Sequence, residues 1–256
     1  AWITALRPEA VSQWLAPYTP AAQSKRIGLI MAGNIPLVGL HDLISCLCMG
    51  HQLLVKPSSD DSILSSRILE LLGAAHPDWS SRIQLVEKIT QAEAVIATGS
   101  NNTSRYFDYY FGNYPHIIRR NRNSIALIQG DETEEELRKL AVDVFSYYGL
   151  GCRNVSQLWI PESYEHGLLA SAWKPWAHIM ENRRYRHNYE YQRAIFQVNR
   201  MMHTDTGFVL LAENESVSSP TGVIHLKGYK QQQAFYGYLN SNRDRIQCAV
   251  IPPSIK

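Results

Sequence analysis

The chain has 256 residues, 45% of them hydrophobic, and a formal net charge of +2. That length supports one large domain or two modest ones with cores of their own, and the near-balanced charge gives no footprint for nucleic acid or an anionic membrane surface. No apolar run reaches the ~18 residues of a membrane span, and the four cysteines (Cys46, Cys48, Cys152, Cys248) are too few and too irregular for a disulfide framework or a zinc site, which points to a reducing cytosol.

The start, Ala1-Trp-Ile-Thr-Ala-Leu-Arg-Pro8, lacks the basic region and long apolar core of a signal peptide. It also lacks an initiator Met, which leaves a fragment of a longer chain open. The nine His form no HxxxH-type pair, so no metal site is expected.

In chain order, Pro8 to Tyr18 has the pattern of a short amphipathic helix. Arg26 to Ala32 is a fully apolar strand of the kind buried on both faces. Gly33-Asn-Ile-Pro-Leu37 is a turn, and His41 to Met49 an apolar helix closed by Gly50. Gln52 to Lys56 is the next strand; Pro57-Ser-Ser-Asp-Asp61 then supplies N-cap chemistry for a helix over Ser62 to Ala75. Ile83 to Val86 and Ala94 to Ala97 are further strands, and Thr98 to Thr103 is a turn opening a helix. Strands and helices alternating through loops this short make a parallel sheet with crossover helices, whose ligands bind beyond the carboxyl ends of the strands. Three candidate segments lie there: Gly33-Asn34, Lys56-Pro57-Ser58 and Gly99-Ser100.

A second βα-type unit follows. Ser124 to Gln129 is a strand, and the acidic run Asp131 to Glu136 starts a helix whose positive end it suits. The amphipathic pattern continues from Glu134 to Tyr148, is broken by Gly149 and Gly151, and gives way to an apolar strand from Val155 to Ile160. Cys152 sits between. Arg153 beside it would favour the thiolate, so a nucleophile is one reading and a buried core thiol the other. Gly167 to Ile179, with Trp173 and Trp176, reads as an apolar helix. The polar, aromatic run Glu181 to Met202 reads as a helix with a solvated face, with binding of an anionic substrate arm as the alternative. Phe208 to Leu211, Gly222 to Leu226 and Ile246 to Ile251 are later strands.

Four pieces in order, Gly-Asn34-Ile-Pro, Val-Lys56-Pro-Ser58, Ala-Thr-Gly99-Ser100 and Gly-Leu-Gly-Cys152-Arg-Asn, resemble the aldehyde dehydrogenase superfamily. The closest likeness is to its acyl-CoA reductase branch, typified by the fatty-acid reductase subunit of bacterial bioluminescence. The resemblance runs from about Arg26 to Pro161 and more weakly to about Gly228. It implies an α/β fold with two lobes, each a mostly parallel sheet flanked by helices. It places a dinucleotide-binding domain at residues 1–118 and a catalytic domain with the nucleophilic cysteine at 119–235, with 236–256 returning to the first domain.

The resemblance also implies site roles. Cys152 is the nucleophile and Asn34 an amide donor to the oxyanion; without the family, Asn34 is a turn-former before Pro36. Lys56 and Ser58 meet the dinucleotide, and Gly99 and Ser100 lie on its nicotinamide side. Their bland readings are a strand-end lysine and an ordinary turn with Ser100 or Asn101 as N-cap. No carboxylate occupies position 58, which permits the 2′-phosphate of NADP, with NAD as the alternative, although Asp60 and Asp61 follow closely. Oxidising members carry a water-activating Glu just before a strand like Ser124 to Gln129. The matching stretch here, Ile117-Ile-Arg-Arg-Asn-Arg-Asn-Ser124, has no carboxylate, and its arginines are read as phosphate ligands or a solvated loop.

The implied reaction is NAD(P)H-dependent reduction of an acyl-CoA, or another acyl thioester, to the aldehyde through an acyl-cysteine, without metal. A homo-oligomer is common in the superfamily. The alternatives are an aldehyde-oxidising or acyl-phosphate-reducing enzyme, or a fragment that binds nucleotide or acyl groups without turnover.

Overall fold

The computed structural model describes residue 4 and residues 6–75, 77–99, 101–120 and 122–252. The chain forms two compact units, residues 1–120 and 121–256.

The first unit runs α1 (Pro8–Leu15), β1 (Arg26–Ile30), α2 (Leu40–Cys48), β2 (Gln52–Lys56), α3 (Ser62–Ala75), α4 (Pro77–Arg82), β3 (Ile83–Leu85), β4 (Ala94–Thr98), α5 (Asn101–Phe111) and β5 (His116–Arg119). All strand pairs are parallel, in the order β3-β2-β1-β4-β5. The apolar runs of β1 and β2 are buried on both faces, as their continuity demands. Ile27, Leu29, Leu53 and Val55 pack with Leu43 and Leu47 of α2, whereas Ile30 and Leu54 pack with Val95, Ala97 and Phe107. Successive strand residues thus feed opposite faces. Gly28 has no room for a side chain: a β-carbon there would lie 2.6 Å from Ile89 Cγ2. The chain proceeds from β1 to one side and returns for β4 on the other, so the order reverses between these two strands. Their carboxyl ends flank the crevice where such sheets take ligands.

The second unit runs β6 (Asn123–Leu127), α6 (Glu134–Phe145), β7 (Val155–Pro161), α7 (His166–Trp173), α8 (Arg183–Val198), β8 (Thr204–Asp205), β9 (Leu210–Glu213), β10 (Val223–Tyr229), α9 (Gln233–Ser241) and β11 (Ile246–Val250). Its six strands are ordered β11-β6-β7-β10-β9-β8, parallel except for the β8–β9 pair. Helix α6 opens with a reciprocal capping box: Glu136 N–H donates to Thr133 Oγ1, and the Glu136 carboxylate accepts from Thr133 N–H. Its buried stripe, Leu137, Leu140, Ala141, Val144 and Phe145, has the spacing of one helix face and packs on the sheet with Trp173 and Phe208.

Three expectations are corrected. Of the segment 236–256, the described residues 236–252 lie in the second unit and not the first. They form α9 and the edge strand β11, which pairs with β6 (Ile246 opposite Asn123), and Ile246 packs with Ile125, Trp159 and Phe235. The helix expected over Gly167–Ile179 ends at Trp173 and continues as a 3-10 segment, Lys174–Glu181, because Pro175 has no N–H for the α-helical ladder. The stretch from Ile117 is no loop at its start, since Ile117–Arg119 belongs to β5, paired with β4.

Candidate functional site

At the carboxyl edge of the first sheet, the loops after β1 and β2 are pressed together. A β-carbon at Gly33 would lie 2.5 Å from Ser58 Oγ and 2.6 Å from Ser58 Cβ, so only glycine allows this approach. Asp61, which is buried, completes the junction: its Oδ2 accepts from Leu37 N–H (3.0 Å) and from Ser65 Oγ (3.2 Å). Leu37 takes a left-handed φ of 58°. Ser58 caps the 3-10 turn Ser59–Asp61, accepting from Asp60 N–H at 3.3 Å. Asn34 is exposed on the turn after β1. Lys56 Nζ donates to the Glu87 carbonyl at 2.7 Å, which uses one of its three N–H groups. Gly99 follows β4 and donates its N–H to the Arg119 carbonyl at 3.3 Å. Ser100 lies outside the described residues.

Asn34, Lys56, Ser58 and Gly99 therefore share one edge of one sheet. That edge presents a bare backbone at Gly33, a hydroxyl at Ser58, the Lys56 ammonium and a glycine after β4, at the strand ends where parallel sheets take ligands. Two arginines of the basic stretch are committed elsewhere. Arg119 pairs with the buried Asp42, and Arg120 Nη2 lies 3.0 Å from Asp108 Oδ2. Arg122 is exposed.

In the second unit, Cys152 is exposed and occupies a corner of the turn Gly151–Asn154, which is closed by the Asn154 N–H donating to the Gly151 carbonyl at 3.0 Å. Ser124, fully buried on β6, donates its Oγ–H to the Cys152 carbonyl at 3.1 Å. Asn154 is itself buried. Its Oδ1 accepts from Gly151 N–H at 2.9 Å, and its Nδ2 donates to the carbonyls of Asp143 (2.9 Å) and Val144 (3.3 Å) at the end of α6. The main chain on both sides of the sulfur is anchored while the thiol faces outward.

The approach to this turn is unusual. Tyr147, Tyr148 and Gly149 are successively left-handed (φ 52°, 61° and 71°). For a non-glycine residue this costs about 1–2 kcal/mol. Both tyrosines are substantially exposed, so burial does not explain the conformation. Behind the turn, Tyr148, Gly149, Val155 and Tyr185 help line a cavity of about 30 Å³, room for a water and not for an acyl chain.

The other thiols differ. Burial, reinforced by Asp42 and partly opposed by Arg119, pushes Cys46 up to about 11, and burial also raises Cys48. Trp173 belongs to the core and Trp176 packs against it, and α8 shows the solvated face expected of it, burying Tyr185, Tyr189 and Phe196. Among the described residues no group of His, Cys, Asp and Glu could hold a metal ion, and no helix is long and apolar enough to cross a membrane.

The sequence points to Cys152 but assigns no role to Asn154 or Ser124, and it gives Asp61 only N-cap chemistry, not the buried junction it makes. Asn154 stood in the quoted Cys-Arg-Asn motif; its partners are main-chain atoms with no sequence signature.

The sequence profile of the acyl-CoA reductase (LuxC) family matches residues 18–163. No curated protein sequence matches the chain. Among solved structures, the fold is similar to the NAD-dependent aldehyde dehydrogenase of Sinorhizobium meliloti, with TM-score 0.70, 13% identity, and coverage of 88% of this chain and 58% of that one. It is also similar to the Mycobacterium tuberculosis aldehyde dehydrogenase complexed with NAD+ (TM-score 0.68, 14% identity, 88% and 61%). A third is the Pseudomonas syringae aldehyde dehydrogenase C complexed with NAD+ and octanal (TM-score 0.66, 13% identity, 91% and 63%). The chain thus spans about three fifths of the length of these enzymes, and the α/β architecture with parallel sheets flanked by helices is theirs.

Proposed function

Because the chain belongs to the acyl-CoA reductase (LuxC) family, we propose that it reduces a fatty acyl thioester, acyl-CoA in the first instance, to the aldehyde with NADPH. The observation that carries the reading is the Cys152 turn: an outward-facing thiol whose main chain is fixed by Ser124 and Asn154. A fixed nucleophile loses little freedom on reaching the attack geometry.

In this reading the Cys152 thiolate attacks the acyl carbonyl, forming a C–S bond and an oxyanion. The Cys152 N–H donates to that oxygen, and Asn34 keeps the amide-donor role that the family resemblance gives it. Collapse expels the carrier thiol, whose pKa of about 8.5 makes it a good leaving group. The nicotinamide dinucleotide, when bound, supplies the hydride that reduces the enzyme thioester. Lys56, Ser58, Gly99 and Ser100 hold it on the first unit, and Cys152 takes back its thiolate as the aldehyde departs.

Two features support reduction and NADPH. The stretch before β6 offers no carboxylate to activate water, so an acid product is disfavoured. Near the position expected for the ribose, Asp61 is buried and its Oδ2 is engaged by Leu37 and Ser65, which lessens its repulsion of a 2′-phosphate. Free thiols at all four cysteines agree with the reducing cytosol as its compartment.

The test is to mix the protein with a long-chain acyl-CoA and NADPH, or NADH in parallel, and follow absorbance loss and aldehyde formation. Cys152→Ser should abolish turnover. A serine variant as fast as the parent, or carboxylic acid as the product, would refute the reading.

A further inference from the structure

We propose that Asn154 is a positioning residue for the reaction: its buried carboxamide holds the Cys152 turn against the end of α6 and thereby sets where the thiol stands. This rests on Cys152 being the nucleophile.

The carboxamide is used to its full reach. Its oxygen accepts from Gly151 N–H, the residue before the nucleophile, and its nitrogen donates to the carbonyls of Asp143 and Val144. Those carbonyls lie in the last turn of a helix, where intrahelical donors have run out. One side chain therefore ties the nucleophile's turn to a helix end 10 to 11 residues earlier in the chain. Asparagine supplies both a neutral acceptor and two donors at this reach; Ser, Asp and Leu each lack part of that set.

The segment bridged by this clasp, 146–150, contains the left-handed turn at Tyr147, Tyr148 and Gly149. Within it, the Leu150 N–H to Tyr147 carbonyl bond is 3.2 Å long. A turn of that conformation persists only where its surroundings over-determine it. Asn154 pins both of its ends, α6 on one side and Gly151 on the other. Released from the clasp, residues 146–153 relax toward ordinary backbone angles and the sulfur moves with them. A displacement of about 1 Å at a nucleophile costs on the order of 100-fold in rate.

The experiment compares the parent, Asn154→Ala, Asn154→Asp, Ser124→Ala and Cys152→Ser. CoA released without NADPH counts the sites that can be acylated, and steady-state turnover is expressed per such site. A merely structural role would lower the unfolding midpoint and the number of competent sites and leave turnover per site untouched. The expected result is a fall of about 100-fold in kcat per site for Asn154→Ala, with KM for acyl-CoA and NADPH affinity within about threefold of the parent. Asn154→Asp keeps the acceptor for Gly151 but turns a carboxylate oxygen toward the Asp143 and Val144 carbonyls, so a loss at least as large as the alanine variant's is expected; it also serves if the alanine variant does not fold. Ser124→Ala, which frees only the Cys152 carbonyl, is expected to give a smaller loss. Turnover per site within threefold of the parent in both Asn154 variants overturns the proposal. If Cys152→Ser is dead in that case, only the positioning role fails; if Cys152→Ser is active, the nucleophile reading fails with it.

Discussion

Gly33 and Ser58 meet at van der Waals contact across two loops, so closely that a β-carbon on residue 33 would stand 2.5 Å from the serine hydroxyl. The loop after β1 and the loop after β2 thereby form one surface. Gly33→Ala should destabilise the protein by about 1–3 kcal/mol, the range for overpacking a filled site, and weaken NADPH binding. Ser58→Gly in the same chain should recover part of the stability by removing both close atoms. Urea midpoints of the two variants decide the matter, and an alanine variant as stable as the parent would mean that the loops part at no cost.

The cysteines should separate by reactivity. With its thiol pushed up to about 11, Cys46 is only about one part in a thousand thiolate at pH 8. Iodoacetamide at that pH should label exposed Cys152 at least ~100-fold faster than Cys46, with Cys46 reached only in denaturant. Peptide mass mapping over time reads this directly. Equal rates at the two sites would contradict the burial described here.

Relieving the left-handed turn should stabilise the fold. Tyr147 is 63% exposed and gives up little buried area. Asn tolerates its φ of 52° better than tyrosine does. Tyr147→Asn is expected to raise stability by about 0.5–1 kcal/mol, and Tyr147→Val to lower it. Should both variants melt with the parent, residue 147 carries no strain.

His225 should shape the acid limb of the stability curve. Burial lowers its pKa below the ordinary 6.5, against a smaller opposing effect of the hydrogen bond to the Ser216 carbonyl. The unfolded chain then binds the proton at a higher pH than the fold does. The stabilising contribution is complete above pH 6.5 and is lost as pH falls from there through the folded value. His225→Gln should flatten the decline in unfolding free energy below pH 6.5. An unchanged slope would assign that decline to other groups.

What the residues disclosed in advance follows from where their partners lie. β1 and β2 were legible because continuous apolar runs need no partner to be recognised, β7 from its Leu158-Trp159-Ile160 stretch after the glycine break, and α6 because its stripe and its Thr133–Glu136 cap are local. β5 was not, since an edge strand with three of four residues exposed carries no such run. The burial of Asp42 depends on Arg119, 77 positions away, and neither residue signals the other. Asn154 acts on main-chain carbonyls, which every residue possesses. The fate of 236–256 was misjudged because the partner of β11 is chosen by the α9 crossover. Pro175 did signal the end of α7; the apolar pattern that continues to Ile179 hid it.

The first sheet is closed by residues 26–119, and all of its partners are already made when Arg119 pairs with β4. On the ribosome, that half can therefore begin to assemble before the Cys152 turn has left the exit tunnel, since contiguous domains fold in the order of their synthesis. The Cys152 thiol would then emerge after the strands of the first sheet are out, and the time an unfinished chain exposes it depends on how soon the second sheet closes around its turn.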